Sequence, residues 1–294
     1  MRPTITVLFL FCFTCLSPKL SAQFEMRGWE LGGWLGSSFY LGDLNTDFGF
    51  NRPNLAGGVA ARYNFNHRIA ARASLNYGRV EAYDSDSDNT FERLRNLSFR
   101  SSIIDLSTQM EFNFLPYYHG SPEYFFTPYA FVGVSVFRFN PTTQDNEGNW
   151  VELRNIQTEG VKYSAISTAL NYGIGIRWDL TYELSMDAHV GVRNTSTDYI
   201  DDVSTIYVER SLLSNDLARR YSDRSLPLPD GGRIDRTNTQ RGDATVNDRY
   251  LFIGIGLNYY FGDIRCPQIE KGKARRRMNR QTKKISRPRK KRSN

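Results

Sequence analysis

The chain has 294 residues, of which 40% are hydrophobic and 14% aromatic, with a mean hydropathy of −0.51. So aromatic a composition excludes a disordered chain, and no apolar run reaches the roughly 20 residues of a membrane-spanning helix. The formal charge of +7 is unevenly placed: thirteen Lys/Arg and no acid lie between Lys271 and Asn294, residues 23–270 sum to −8, and the pI of 9.3 is therefore no sign that the folded part binds nucleic acid.

Residues 1–22 read as an export signal. Met1-Arg2 gives a positive start, Ile5 to Leu16 an apolar core, Ser17-Pro18 a break and Ala22 the small residue at the cut, with Leu20 an unusual −3 residue. Neither Cys12 nor Cys15 follows a small residue in a lipoprotein-like box, so both are expected to leave with the signal. Cys266 is then the one thiol of the mature chain, which can form no internal disulfide.

From there the pattern alternates with period two. Segments near 29–41 and 54–66 are diluted by glycine. In the next, Ile69, Ala71, Ala73, Leu75 and Tyr77 oppose Arg68, Arg72, Ser74 and Asn76. Ile104, Leu106, Thr108, Met110, Phe112 and Phe114 oppose Asp105, Ser107, Gln109, Glu111 and Asn113. The segment near 127–139 is apolar on both faces. Leu170 to Leu180 and Glu183 to Arg193 alternate around a minimal turn at Thr181-Tyr182, as an antiparallel hairpin does, and Leu251 to Phe261 alternates against Gly254, Gly256 and Asn258. Eight strands of roughly 10–15 residues exceed the globular norm of about 5–6 and suit a tilted bilayer crossing of about 9–11. A soluble sandwich would carry large aliphatics on its inner faces. Here the polar face holds small residues fit for a narrow bore, and aromatics gather at strand ends. The expected fold is all-β: an eight-stranded antiparallel up-and-down transmembrane barrel over residues 23–262.

Short connections near Asn66-His67, Pro116–Phe125 and Thr181-Tyr182 alternate with long ones at 42–53, 81–97, 140–166 and 197–247. In outer-membrane barrels short turns are periplasmic and long loops extracellular, which puts both termini in the periplasm. The bore of so small a barrel is filled by side chains. Glu30, Asp105, Glu111, Asp179, Glu183 and Asp187 are expected to face Arg62, Arg68, Arg72, Arg177 and Arg193 there, and the mixture of signs points to a plugging ion network rather than a selectivity ring. His67 and His119 fall in turns, where solvation is expected; His189 shares the inner face with Asp187 but is expected to lie well apart from it. No zinc spacing, phosphate loop or nucleophile elbow appears, so no enzyme and no cofactor is expected.

In the fourth long connection, Ile206, Leu213, Leu217 and Tyr221 have approximately helical spacing within Ser204 to Arg224. Asp198, Asp201 and Asp202 are acidic neighbours without the register of a calcium loop, and Arg241-Gly242-Asp243 reads as a turn before the last strand.

A run of motifs carries a resemblance: Thr197-Asp198-Tyr199-Ile200-Asp201-Asp202-Val203-Ser204-Thr205-Ile206-Tyr207, preceded by Tyr40-Leu41-Gly42-Asp43-Leu44-Asn45, Arg95-Asn96-Leu97-Ser98-Phe99 and Thr158-Glu159-Gly160, and followed by Arg241-Gly242-Asp243 and Asn247-Asp248. Taken in order over roughly residues 28–262, they resemble the PorG family, outer-membrane barrels of Bacteroidota associated with type IX secretion and gliding. The resemblance implies a non-enzymatic part that anchors or aligns a periplasmic ring of the PorK lipoprotein and PorN. It implies no catalytic residue. Because the motifs lie in outward loops, they are expected to hold those loops over the barrel mouth.

Residues 263–294 form a basic, low-complexity segment. It reads either as a solubilising tail or as a clamp, with Arg275, Arg276, Arg277, Lys283 and Lys284 meeting an acidic ring protein or anionic outer-membrane lipid; Cys266 is a candidate for a partner disulfide. Neither nucleic acid nor a small-molecule substrate is expected. The alternatives are an OmpA-like structural barrel, disfavoured because this tail cannot fold into a peptidoglycan-binding domain, and a narrow channel or rim enzyme.

Overall fold

The computed structural model describes residues 27–46, 49–227, 230–232 and 234–262. The expected signal segment, Cys266 and the basic tail with Arg275, Arg276, Arg277, Lys283 and Lys284 lie outside the described residues. Eight long strands follow the alternating segments: β1 (Gly28–Leu41), β2 (Asn54–Asn64), β3 (Ile69–Tyr83), β4 (Ser98–Asn113), β5 (Phe126–Gln144), β7 (Ile166–Asp179), β8 (Leu184–Thr195) and β9 (Arg249–Tyr260). A three-residue strand, β6 (Trp150–Glu152), folds back on the end of β5. Each long strand pairs antiparallel with its chain neighbours, and β1 pairs with β9, so the sheet closes into a barrel.

Local chemistry sets the register. At the β2–β3 turn, the Asn66 side-chain oxygen accepts from the amides of Arg68 (2.8 Å) and Ile69 (2.9 Å). At β7–β8 the Thr181 hydroxyl accepts from the Leu184 amide at 3.1 Å. Both are side-chain mimics of a backbone turn. At the β1–β9 seam a Cβ on Gly36 would collide with the Ile253 carbonyl, so the two backbones meet there only because no side chain intervenes.

The two faces have opposite character. In β3 the burial alternates residue by residue, with Ala70, Arg72, Ser74 and Asn76 inside and Ile69, Leu75 and Tyr77 outside. Large aliphatic residues point outward on the other strands too: Leu55 is 78% exposed, Leu35 70% and Ile174 65%. A continuous apolar band around a barrel is a lipid-facing surface, since in water it would aggregate. At the short-turn end the band finishes in outward aromatic pairs, Trp29–Tyr63, Phe112–Phe114 and Tyr259–Phe261, with centroids 5.0, 5.6 and 4.7 Å apart. The segment that was ambiguous in sequence, β5, turns Tyr129, Phe131, Phe137 and Phe139 inward and Val132, Val134 and Val136 outward.

Three short α-helices lie in the long connections, α1 (Thr90–Arg95), α2 (Leu153–Ile156) and α3 (Asp216–Ser222), with 3-10 turns at Asp84–Asp86 and Arg210–Leu212. α3 starts where the Asn215 side chain accepts from the Ala218 amide at 2.7 Å, an N-cap. The helical spacing expected over 204–224 is thus realised as a 3-10 turn, Arg210–Leu212, followed by the seven residues of α3. Leu213 and Tyr221 are buried, whereas Ile206, in chain without helix, and Leu217, on the outer side of α3, are exposed.

The outward band predicts a directional result. Val134→Arg, in the middle of β5, is expected to cost about 2–4 kcal/mol in reversible unfolding from lipid vesicles. Gln144→Arg, at the loop end of the same strand, should be near neutral; equal costs would show that Val134 does not face lipid.

Candidate functional site

The half of the bore nearer the short turns is filled by an ion network. Arg62 sits at its centre, with Nη1 2.6 Å from Glu30 Oε2 and Nε 2.8 Å from Glu111 Oε2. Arg177 Nη2 donates to the same Glu111 oxygen at 2.6 Å, and Arg72 lies 3.9 Å from Glu111 and 3.8 Å from Asp187. Asp187 also accepts from Asn258 at 2.8 Å and from the Tyr129 hydroxyl at 3.1 Å. The Arg177 guanidinium lies 4.9 Å over the Tyr129 ring and 5.4 Å over Tyr117. Arg62 and Arg177 are wholly buried. Stripping water from such groups is offset when each charge meets a partner at close range; Arg62 and Arg177 do so, whereas Arg72 stays nearly 4 Å from its two acids.

The connection between β4 and β5 closes this end. It folds inward, burying Tyr117 and His119. His119 bridges Glu30 (Nε2, 3.1 Å) and Asp179 (Nδ1, 3.0 Å), and stacks on Tyr260 with centroids 4.3 Å apart. The Tyr117 hydroxyl and the Gly120 amide also donate to Asp179.

Toward the long loops the bore becomes aromatic. Trp34, Phe99, Ile103, Phe137, Phe139, Tyr250 and Phe252 form one buried cluster with Leu97, Leu153, Ile156, Ile200, Val203, Leu213 and Tyr221 from the connections. Above it the loops are tied by two buried arginines. Arg95, at the end of α1, binds Asp84 through two hydrogen bonds of 2.8 and 2.7 Å and donates to the carbonyls of Arg241 (2.6 Å) and Asp43 (2.8 Å). Arg241 donates to Glu159 (2.6 Å), the Asp202 carbonyl (2.6 Å) and the Ser222 carbonyl (3.1 Å). Glu159 in turn accepts from the Ser204 amide at 3.0 Å and the Thr205 hydroxyl at 2.7 Å. All four long connections thereby join in one cap.

A second knot ties the cap to the barrel wall. The Tyr40 hydroxyl lies 2.6 Å from Asp201 Oδ2 and 2.5 Å from Asp248 Oδ1. One hydroxyl has one proton to donate, so one of the two carboxyls holds a proton and donates it to Tyr40. Burial, reinforced by the neighbouring Asp248 charge, raises the Asp201 carboxyl well above the usual carboxylate range. Burial and the same Asp248 push Asp198 up to about 8; burial raises Asp43 and Asp202 to about 6, despite Arg95 near the first and Arg241 near the second.

A family profile, described as a domain of unknown function, DUF6089, matches residues 4–211. The chain belongs to the DUF6089 family. No curated protein matches it. Among solved structures the DUF6089 chain is similar to OprG of Pseudomonas aeruginosa (11% identity, 81% of this chain and 98% of that one, TM-score 0.41). It is also similar to the neisserial surface protein NspA (12% identity, 80% and 97%, TM-score 0.40) and to Ail of Yersinia pestis (10% identity, 80% and 100%, TM-score 0.38). Likeness at this level bears on neither activity nor partner.

Of the residues singled out in sequence, Glu30, Arg62, Arg72, Glu111, Arg177 and Asp187 meet in the DUF6089 bore network, and Asp179 joins it through His119. Asp105 and Arg193 are inside but, among the described residues, make no ion pair within 4 Å. Asp105 binds Asn76 (2.7 Å) and the Tyr250 hydroxyl (2.8 Å), while Arg193 covers the Phe252 ring at 4.5 Å, because both sit at the aromatic level of the bore. Glu183 and Arg68 lie where strand becomes turn, so Glu183 is exposed beside Tyr259 and Arg68 donates to the Asn113 and Phe114 carbonyls. His119 is not a solvated turn residue, since its turn folds into the barrel. His189 is not remote from Asp187 either: Nδ1 is 3.2 Å from Oδ2, because same-face neighbours on the concave wall lean together.

The loop motifs converge in the cap. Asp201 receives the Val203 amide at 2.9 Å as well as Tyr40. Asp202, at φ 67°, receives the hydroxyls of Thr158 (2.5 Å) and Tyr163 (2.6 Å), and Tyr199 stacks on Tyr163 at 4.6 Å. Asp198 is buried beside them. These acids are turned to separate partners, and among the described residues no three His, Cys, Asp or Glu are placed to hold a metal. Arg241-Gly242-Asp243 leads into the turn before β9, where the Val246 amide donates to the Asp243 carbonyl at 3.1 Å, and its arginine is the buried centre of the cap.

Two predictions follow from this geometry. Glu111→Ala leaves the buried Arg177 without its carboxylate and Arg62 with Glu30 alone, and should destabilise the barrel by about 3–5 kcal/mol in vesicle unfolding, whereas Glu183→Ala at the turn should change little. The cap carboxyls bind protons more tightly folded than unfolded, so their stabilisation is complete below the unfolded value of about 3.9 and is lost as pH rises through about 6 to 8. Protease cleavage within 196–248 should therefore be faster near pH 9 than near pH 5. Asp198→Asn should flatten that dependence; cleavage independent of pH would refute it.

Proposed function

We propose that this protein is a non-enzymatic outer-membrane component of the type IX secretion system, in which the barrel anchors or aligns the periplasmic ring of the PorK lipoprotein and PorN. The barrel crosses the outer membrane with its short turns and both termini toward the periplasm and its cap outside. The observation that carries the reading is that the bore is filled at both levels, by the Arg62–Glu111 network and by the aromatic cluster beneath the cap. Among the described residues, a bore so filled leaves no open path along the barrel axis. What such a barrel offers is a rigid fixed point in the membrane.

The chemistry of the two histidines supports the same reading. His119 and His189 are both engaged with buried carboxylates inside the bore, where no substrate reaches them. The loop motifs on which the PorG resemblance rests bind each other rather than present themselves outward. A ring partner is left the short-turn end and the basic tail, whose charge suits an acidic periplasmic surface.

Cys266 provides the test. A short thiol crosslinker placed there in living cells is expected to capture a ring protein, identified by mass spectrometry of the isolated outer membrane, and gene deletion is expected to stop export of cargo bearing the C-terminal secretion signal. Capture of lipid or peptidoglycan alone, with secretion intact after deletion, would leave a structural barrel of the OmpA-like kind.

A further inference from the structure

On the outward face, the apolar band ends abruptly toward the long loops. Along β3 the outward residues run Ile69, Ala71, Ala73, Leu75 and Tyr77, then Arg79; along β5 they run Phe126, Pro128, Ala130, Val132, Val134 and Val136, then Arg138. β4 lies between, with Ser102 opposite Arg79 and Ile104 opposite Arg138. Sheet spacings put the two Cα atoms about 12 Å apart, flanking one strand. Both arginines are exposed, and among the described residues neither has a carboxylate within 4 Å, Arg79 meeting only the neutral Tyr77 hydroxyl on its own strand. Their neighbours differ. Arg100, one step further out on β4, is taken by Glu81 at 2.8 Å and covered by Trp150 at 4.2 Å, and Arg249 donates to Asn194 at 3.2 Å.

Two guanidinium groups without a carboxylate partner, at the upper margin of a hydrocarbon-facing band, sit at the level of lipid headgroups. A guanidinium matches phosphate with paired hydrogen bonds, and at that depth phosphate is the abundant anion. Because two such groups flank a single strand, the fit is to one headgroup carrying a phosphate at each end, its acyl chains lying on Leu75, Ile104 and Val136. We propose that Arg79 and Arg138 form a binding site for a bisphosphorylated glycolipid of the lipid A type, held against the β3–β5 wall in the leaflet on the long-loop side. The assignment rests on the outer-membrane placement proposed above.

The test uses the purified full chain in detergent, titrated with bisphosphorylated lipid A, its dephosphorylated form, phosphatidylglycerol and inorganic phosphate. Lipid A is expected to bind saturably and more tightly than the other three. Arg79→Gln and Arg138→Gln are each expected to weaken it roughly fivefold, with larger loss in the double variant and partial retention in the Arg→Lys pair. Gel mobility of the unheated protein reports whether each variant is folded. Equal affinity for dephosphorylated lipid A, an unaffected folded double variant, or equal binding of phosphatidylglycerol would overturn the two-phosphate site. Inorganic phosphate binding as tightly as lipid A would overturn the lipid. Membrane fractionation stands apart from these outcomes: a chain absent from the outer membrane would end the placement while leaving an arginine-dependent affinity intact.

Discussion

The structure depends on a single requirement, that the interior of a narrow barrel be solid. Eight strands enclose a space with room for side chains and little else. Here that space is occupied in the lower half by charge. Arg62 is the keystone, because it reaches Glu30 on the strand to one side and Glu111 two strands away on the other. Removing water from five or six ionised groups is unfavourable, and only mutual neutralisation at close range offsets it. The wall therefore positions acids and bases as a set, and each strand's register is fixed by its contribution to that set as well as by its outward apolar residues.

The upper half solves the same problem with aromatic rings and hands it on to the loops. Trp34, Phe137 and Phe252 belong to the same cluster as Ile200, Leu213 and Tyr221, so the cap continues the barrel core rather than standing on it. Arg95 and Arg241 then bind chiefly main-chain carbonyls and buried acids, which satisfies the backbone of long irregular segments that would otherwise need water. Loops of this length are usually the mobile part of a protein. These are held by the same close packing and paired charges as the wall.

The wall was legible in sequence because period-two alternation is imposed on every strand by the contrast between lipid and bore. It blurred in β5, where the bore side itself is aromatic at Tyr129, Phe131, Phe137 and Phe139, so that both faces looked alike. The members of the ion network could be chosen from inward parity, but parity says nothing about height along the bore, which is why Asp105 and Arg193 were grouped with charges they do not pair with. Tyr117 and His119 were hidden because an inward-folding turn and a solvated turn share one composition. In the cap, contacts such as Tyr40 with Asp248 join residues 208 positions apart, and no local pattern encodes them. The motif residues were visible as a series in the chain; their mutual contacts were not.

The place of Tyr40 has a consequence for how the molecule is made. It sits at the end of the first strand, Asp248 immediately before the last, and those two strands form the seam. The latch between them cannot form until the final strand has arrived beside the first. Until then the longest connection has no anchor at its far end, and an open barrel is necessarily an uncapped one. Closure of the wall and locking of its lid are thus the same late event in assembly, and a chain stalled before its last strand would carry four loose loops instead of one compact crown.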